Sequence, residues 1–183
     1  MTDILSLDEG YSTTRLIFND KCLMLNEDNS QFNIKNSTSK KGGLRTKGYF
    51  KKSFDDKPLI SIITVVFNGE KYLEETIQSV INQTYSNVEY IIIDGGSSDG
   101  TLDIIKKYED KIDYWVSEKD KGIYDAMNKG IDVASGEWIN FMNAGDGFYA
   151  DDVLDKIFIL NQYKNKNILY GDVETNYGNF RAI

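Results

Sequence analysis

The sequence predicts an α/β fold with a mostly parallel central sheet flanked by helices. Two observations carry that prediction. From Pro58 onward, apolar β-type runs alternate with segments of helical period, the pattern of consecutive βαβ units. The runs at 59–67 (LISIITVVF) and 88–93 (VEYIII) are rich in Ile and Val and end abruptly in small and polar residues, as strands covered on both faces do. A length of 183 residues, with 40% hydrophobic and 27% charged side chains, suits one globular domain with a real core.

Residues 1–57 differ from the rest of the chain. The stretch 26–52 is rich in Asn, Ser, Lys and Gly, and Gly42-Gly43 interrupts any regular pattern. Residues 1–57 therefore read as an extension or arm, with strand-like pieces at 14–18 and 21–25. Pro58, the sole proline, opens the main domain at 58–183. There, 59–67 is a buried strand and 70–83 a helix, with Leu73, Ile77, Val80 and Ile81 on one face. A second buried strand spans 88–93. A short helix at 102–108 comes after Ser97, Ser98 and Asp99, all candidate caps. The third strand is 112–116, the next helix 123–134, and a Ser135-Gly136 turn leads to the fourth strand at 138–142. After NAGDG come a helix at 152–160 and a strand-like piece at 167–170. The alternation describes a Rossmann-like sheet, in which ligands bind outside the carboxyl ends of the strands.

Composition removes several function classes. The absence of histidine excludes histidine-dependent triads and histidine metal sites, so any metal must be held mainly by oxygen, which favours Mg²⁺ or Mn²⁺. One cysteine, Cys22, excludes an intrachain disulfide framework and agrees with a reducing compartment. A net charge of −8 argues against general nucleic-acid binding. The charge is uneven: residues 1–57 carry 10 Lys and Arg against 8 Asp and Glu, the remainder 11 against 21. Lys35, Lys40, Lys41, Arg45, Lys47, Lys51 and Lys52 form a basic run without an intervening acid. It reads either as a solvated linker or as a contact for an anionic membrane surface or acidic partner. The first ten residues are polar and acidic, unlike a signal peptide. The expected location is the cytoplasm, with peripheral association at the inner face of the membrane left open.

Three stretches combine chemistry with a strand end. In DGGSSDGT (94–101), the Asp94 carboxylate can accept hydrogen bonds from a base or ribose, and the glycines allow close backbone approach. A plain βα turn with a capped helix explains the same residues. Gly95 and Gly100 have the spacing of a phosphate loop, but Thr101 stands where lysine is required, and no GxGxxG occurs, which argues against a nicotinamide dehydrogenase. In SEKDKGIYDAMNKGI (117–131), Asp125 and Lys129 are four apart on one helix face. They form either a surface ion pair or part of a wall that brings Lys121 and Lys129 to a ligand's phosphates. In NAGDG (143–147), Asn143 and Asp146 offer oxygen ligands for a divalent cation bridging to a diphosphate, or else an Asx-type turn.

Taken in order, PLISIITVVFNGEKYLEETIQSVINQTYSNVEYIIIDGGSSDGT and KGIYDAMNKGIDVASGEWINFMNAGD resemble the nucleotide-sugar half of a family 2 glycosyltransferase with a GT-A fold, of the kind that builds bacterial surface glycans. The resemblance covers about residues 58–152. It implies a nucleoside-diphosphate-sugar donor, typically a UDP-sugar, a glycan or lipid-linked acceptor, and a divalent cation, Mg²⁺ or Mn²⁺. Thr64, Val65, Phe67 and Asn68 would line the nucleobase and ribose pocket, largely through backbone groups, and Asp94 would hydrogen-bond the base. Ser97 and Asp99 would shape that loop. Lys121, Gly122, Asp125, Asn128, Lys129 and Asn143 fall where the family contacts the nucleotide sugar, and Asp146 matches the metal-carrying aspartate. Asn143 and Gly145 replace two carboxylates of the commoner Asp-x-Asp-Asp turn, a form that related members share.

The implied reaction is an inverting transfer, in which a carboxylate deprotonates the acceptor hydroxyl. In the family that base lies in a later, acceptor-binding half. Only 126 residues follow position 57, so the base is expected beyond Ile183, and neither Asp172 nor Glu174 sits in a motif that would make it the base. The alternative expectation is a truncated, inactive nucleotide-sugar-binding or interaction module.

Overall fold

The computed structural model describes residues 5–6, 16–18, 39–159, 163–170, 175–177 and 180–182. At its centre four strands run parallel: β4 (Ile60–Val66), β5 (Val88–Asp94), β6 (Tyr114–Ser117) and β7 (Trp138–Phe141), in the spatial order β7-β4-β5-β6. Around them are β1 (Leu5–Ser6), β2 (Leu16–Phe18), β3 (Lys40–Gly42) and β8 (Ile168–Tyr170), which complete an eight-stranded sheet in the order β1-β8-β2-β7-β4-β5-β6-β3. β2 is antiparallel to β7 and β8, and β3 is antiparallel to β6. A separate antiparallel pair joins β9 (Thr175–Tyr177) to β10 (Phe180–Ala182).

The chain steps from β4 through α1 (Leu73–Ile81) to β5, and through α2 (Thr101–Lys107) to β6. It then returns through α3 (Ile123–Val133) to β7 on the far side of β4. The connections thus diverge between β4 and its neighbours, which is the topological switch point where open α/β sheets bind ligands.

Strand residues alternate between the two faces. Ile60, Ile62 and Ile92 pack with Leu73, Ile77 and Val80 of α1, Ile105 of α2, and Val153, Leu154, Ile157 and Phe158 of α4 (Val153–Ile159). Ile63, Val65, Ile91 and Ile93 pack against Ala126 and Val133 of α3 on the opposite face. The α3 contact depends on Gly130, where a Cβ would lie 2.4 Å from Ile63 Cγ2. Helix α1 starts at Leu73 and not at residue 70, because Gly69 to Tyr72 form a turn bonded to the β5–α2 loop. Among the described residues no helix is long and apolar enough to cross a membrane.

The described parts of 1–57 pack against the domain that follows. β2 and β3 are sheet strands, and the predicted strand at 21–25 lies outside the described residues. Arg45, in a 3-10 turn (Leu44–Lys47), is buried and pairs with Glu89 at the amino end of β5. Its guanidinium also donates to Val133 O at 2.6 Å and Ser135 Oγ at 3.0 Å. Glu89 further accepts from Ser61 Oγ at 2.5 Å and Ser135 N at 2.8 Å. Lys51 bonds to buried Asp113 at 2.9 Å and to Val88 O at 2.6 Å. Buried carboxylates need cations, and part of the basic run supplies them.

Candidate functional site

The parallel register sets Val66 beside Asp94 and Asp94 beside Ser117, so the carboxyl ends of β4, β5 and β6 open at one level. The loop after β4 is locked to the loop after β5. The Asn68 N–H donates to Ser97 Oγ (2.7 Å), and Asn68 Oδ1 accepts from the Ser98 N–H (3.0 Å). Gly69 N–H donates to Thr101 Oγ1 (2.8 Å), Glu70 N–H to Asp99 Oδ2 (3.1 Å), and Gly100 N–H to Glu70 Oε2 (3.1 Å). Asn68 holds a left-handed backbone, φ 50°, which asparagine tolerates better than most residues. Burial works against the charged form of Asp99, but the Thr101 hydroxyl and the backbone N–H groups of Glu70 and Thr101 hold its carboxyl below the ordinary 3.8.

Asp94 is not a surface acceptor. Its carboxylate is fully buried and takes hydrogen bonds from Ser97 N (3.1 Å), Ser97 Oγ (2.5 Å) and Ser117 Oγ (2.5 Å). It anchors the glycine loop. Thr64 is also fully buried, with its hydroxyl 3.0 Å from Tyr90 Oη. Both belong to the α1–α2 face of the sheet, in step with Ile62 and Ile92.

The opening lies on the other face. A cleft of about 250 Å³ is lined by Val65, Val66, Phe67, Asp120, Gly122, Ile123 and Ala126. Phe67 is 64% exposed and Ile123 50% exposed, unusual for large apolar side chains unless something covers them. Gly122, the residue before α3, has φ 114° and open space where a Cβ would stand, so glycine is required there by its backbone.

Helix α3 carries the remaining candidates. Asp125 Oδ2 accepts the Lys121 N–H at 3.1 Å and lies 3.5 Å from Lys129. The Lys121 N–H, then the Lys129 charge, hold Asp125 below 3.8 against burial. Lys129 bonds to Glu118 at 2.8 Å and donates to Lys119 O at 3.3 Å. Burial pulls its ammonium down, but the hydrogen bond and charge of Glu118 outweigh it and raise the pKa. Lys129 therefore braces α3 on the 117–120 segment. Lys121 and Asn128 are exposed.

Past β7, Ala144 N–H bonds to Val65 O (3.3 Å) and Thr76 Oγ1 donates to Asp146 O (2.8 Å), tying the NAGDG turn to β4 and α1. Asp146 is exposed, and Asn143 Oδ1 on the same turn is buried without a hydrogen-bond partner. An exposed carboxylate and an unsatisfied amide oxygen on one turn are both hard oxygen donors, the type a divalent cation with water in its shell takes. Among the described residues no cluster of three or more Asp, Glu or Cys side chains forms a fuller metal cage.

Sequence reading missed four wall residues, Val66, Asp120, Ile123 and Ala126. Asp120 was hidden in a charged run, and Ile123 was read only as the first residue of the helix at 123–134. The signal that could have found Asp120 is its position two residues before the glycine that opens α3, where its carboxylate accepts the Gly122 N–H.

A family model described as Glycosyl transferase family 2 matches residues 61–181. The chain is 34% identical over 128 residues to the PGL/p-HBAD biosynthesis glycosyltransferase of Mycobacterium bovis (strain BCG / Pasteur 1173P2), covering 68% of this chain and 50% of that protein. It is 41% identical over 120 residues to an uncharacterized glycosyltransferase of Rickettsia bellii (strain RML369-C), covering 64% of this chain and 17% of that one. The chain thus spans half or less of these relatives. Among solved structures, S. aureus TarS 1-349 in complex with UDP-GlcNAc aligns with a TM-score of 0.49 at 26% identity, over 54% of this chain and 30% of that one. The matched stretch runs from the first residues of β4 through both cleft loops, α3 and the β7 turn, and by that match the chain belongs to glycosyl transferase family 2.

Proposed function

We propose that this chain forms the donor side of a glycosyltransferase that moves a sugar from a nucleoside-diphosphate sugar, a UDP-sugar by preference, to a glycan or lipid-linked acceptor with inversion at the anomeric carbon. The observation that carries the reading is the apolar cleft with exposed Phe67 at the carboxyl end of β4, beside the turn that presents Asp146. A planar base in the cleft would stack on Phe67, and its diphosphate would extend toward the β7 turn. Lys121, exposed and directly before Gly122, would supply positive charge to the diphosphate. Asp146, with Asn143, would hold a divalent cation, whose chemistry when bound is to neutralise the departing diphosphate. The buried carboxylate of Asp94 and the exposed hydrogen bonds of Asn68 keep both loops fixed, so little ordering cost remains for the ligand. Deprotonation of the acceptor hydroxyl is assigned to a carboxylate outside the donor cleft.

Calorimetric titration with UDP in the presence of Mn²⁺, beside a UDP-sugar hydrolysis assay, tests the reading. Binding with turnover is expected of a transferase, and binding without turnover of a sugar-nucleotide-binding module. Absence of UDP binding would overturn the proposal.

A further inference from the structure

Asp120 is the sole carboxylate among the described residues that line the cleft, and its two oxygens have different surroundings. Oδ1 accepts the Gly122 N–H at 2.8 Å, which fixes the side chain. Oδ2 leans over Gly95 at the end of β5. A Cβ at Gly95 would lie 2.5 Å from Asp120 Oδ2 and 3.4 Å from Phe67 Cδ2, so the carboxylate and the edge of the Phe67 ring meet above the glycine. Among the described residues no donor reaches Oδ2, and the nearby cation Lys129 is committed to Glu118 and Asp125. The slot therefore offers an exposed aromatic face, apolar walls from Val65, Ile123 and Ala126, and one fixed, free anionic acceptor at its edge.

That arrangement selects among heterocycles. Uracil and thymine present one in-plane N–H at N3, which a single carboxylate oxygen can accept. Cytosine and adenine present a ring-nitrogen lone pair at the corresponding edge, which a carboxylate repels. Guanine presents two adjacent donors that want both carboxylate oxygens, and Oδ1 is already engaged. We propose that Asp120, through Oδ2, is the specificity-determining residue of the donor site and accepts the N3–H of a uracil or thymine ring lying on Phe67. The assignment rests on the donor-site reading of the cleft.

The test is calorimetric binding of UDP, dTDP and CDP, each with Mn²⁺, to the whole chain and to Asp120→Asn. Asparagine keeps an oxygen for the Gly122 N–H and sets an amide donor where Oδ2 stood. The wild type should prefer UDP or dTDP over CDP by about tenfold or more, since a charge-assisted hydrogen bond and a repulsion both contribute. UDP against dTDP then separates uracil from thymine. In Asp120→Asn the preference should collapse or invert toward CDP. A second measurement needs no variant: N3-methyl-UDP should bind the wild type about tenfold or more weaker than UDP. An unchanged UDP-to-CDP ratio in the variant, with both affinities lowered equally, would reduce Asp120 to a loop brace and overturn the assignment alone. Equal binding of UDP and N3-methyl-UDP would do the same. A wild type that binds none of these nucleotides overturns the donor-site reading and the assignment together.

Discussion

At the amino ends of β4 and β5, Ser61 and Glu89 are buried and bonded to Arg45, Ser135 and each other; at the carboxyl ends of the same strands, Phe67 stands exposed and Asp120 keeps a free oxygen over an open cleft. Both ends use charged and hydroxyl side chains. At the amino end Arg45, Glu89, Ser61 and Ser135 are turned inward onto one another, and the result is a lock. At the carboxyl end the buried links, Asp94 with Ser97 and Ser117, stop one layer below the surface and leave a ligand-sized gap above them. The difference shows that polarity alone does not mark a site; what marks it is a fixed polar group with capacity left over.

The strongest way to break that contrast is to cut the lock. Arg45→Ala should destabilise the fold by about 3–5 kcal/mol, because it leaves Glu89 charged and buried without its cation. Burial brings Arg45 down to about 10, with Asp113 pulling the other way, so it is a cation at neutral pH. Urea unfolding measures the loss. Nucleotide affinity of the fraction that remains folded should not change, and a selective loss of affinity in Arg45→Ala would sink the division between the two ends.

Asp94→Ala tests the layer beneath the site. It removes the acceptor for three buried or half-buried donors and should cost about 1–3 kcal/mol in unfolding free energy. Affinity for UDP should fall with it, because the loop that Asp94 holds floors the cleft. Weaker binding at unchanged stability would return Asp94 to the role of a direct base contact. Phe67→Ala tests the surface itself. Loss of base stacking is expected to weaken UDP binding by about 1–3 kcal/mol, with the unfolding midpoint nearly unchanged, because an exposed ring contributes little to the core. If Phe67→Ala unfolds the protein and leaves UDP affinity intact, the ring belongs to the core and not to the cleft.

The four parallel strands and α1 to α3 were legible because Ile- and Val-rich runs and helical spacing are local signals. The site was legible as a set of strand ends, but not residue by residue. Period-two alternation already separates Thr64 from Val65 and Asp94 from Ile93. Which face carries the cleft depends on the path of α3, and that is a tertiary fact. The role of the basic run was out of reach for the same reason: Glu89 lies 44 positions beyond Arg45 and Ser135 lies 90 beyond it. Asp120 became visible only when α3 brought it over Gly95.

The smallest expected effect sharpens the comparison from the side of pH. Asp125 sits at the open end of the sheet, held below its ordinary 3.8 first by the Lys121 N–H, which together with Lys129 outweighs the opposing effect of desolvation. A carboxyl with a depressed folded-state pKa binds fewer protons folded than unfolded in the interval between the two values. Its contribution is fully present above 3.8 and is lost as pH falls through the lower folded value. Asp125→Asn should therefore leave the urea midpoint at neutral pH almost unchanged and make its decline below 3.8 slightly shallower. The effect stays small because the group is solvated and its partner Lys129 also has Glu118. Arg45→Ala, by contrast, should lower the midpoint at neutral pH, where Asp125→Asn does nothing. If Asp125→Asn instead destabilises the neutral protein as strongly as Arg45→Ala, the carboxyl end contains a lock of its own, and its open oxygen at Asp120 would no longer distinguish it.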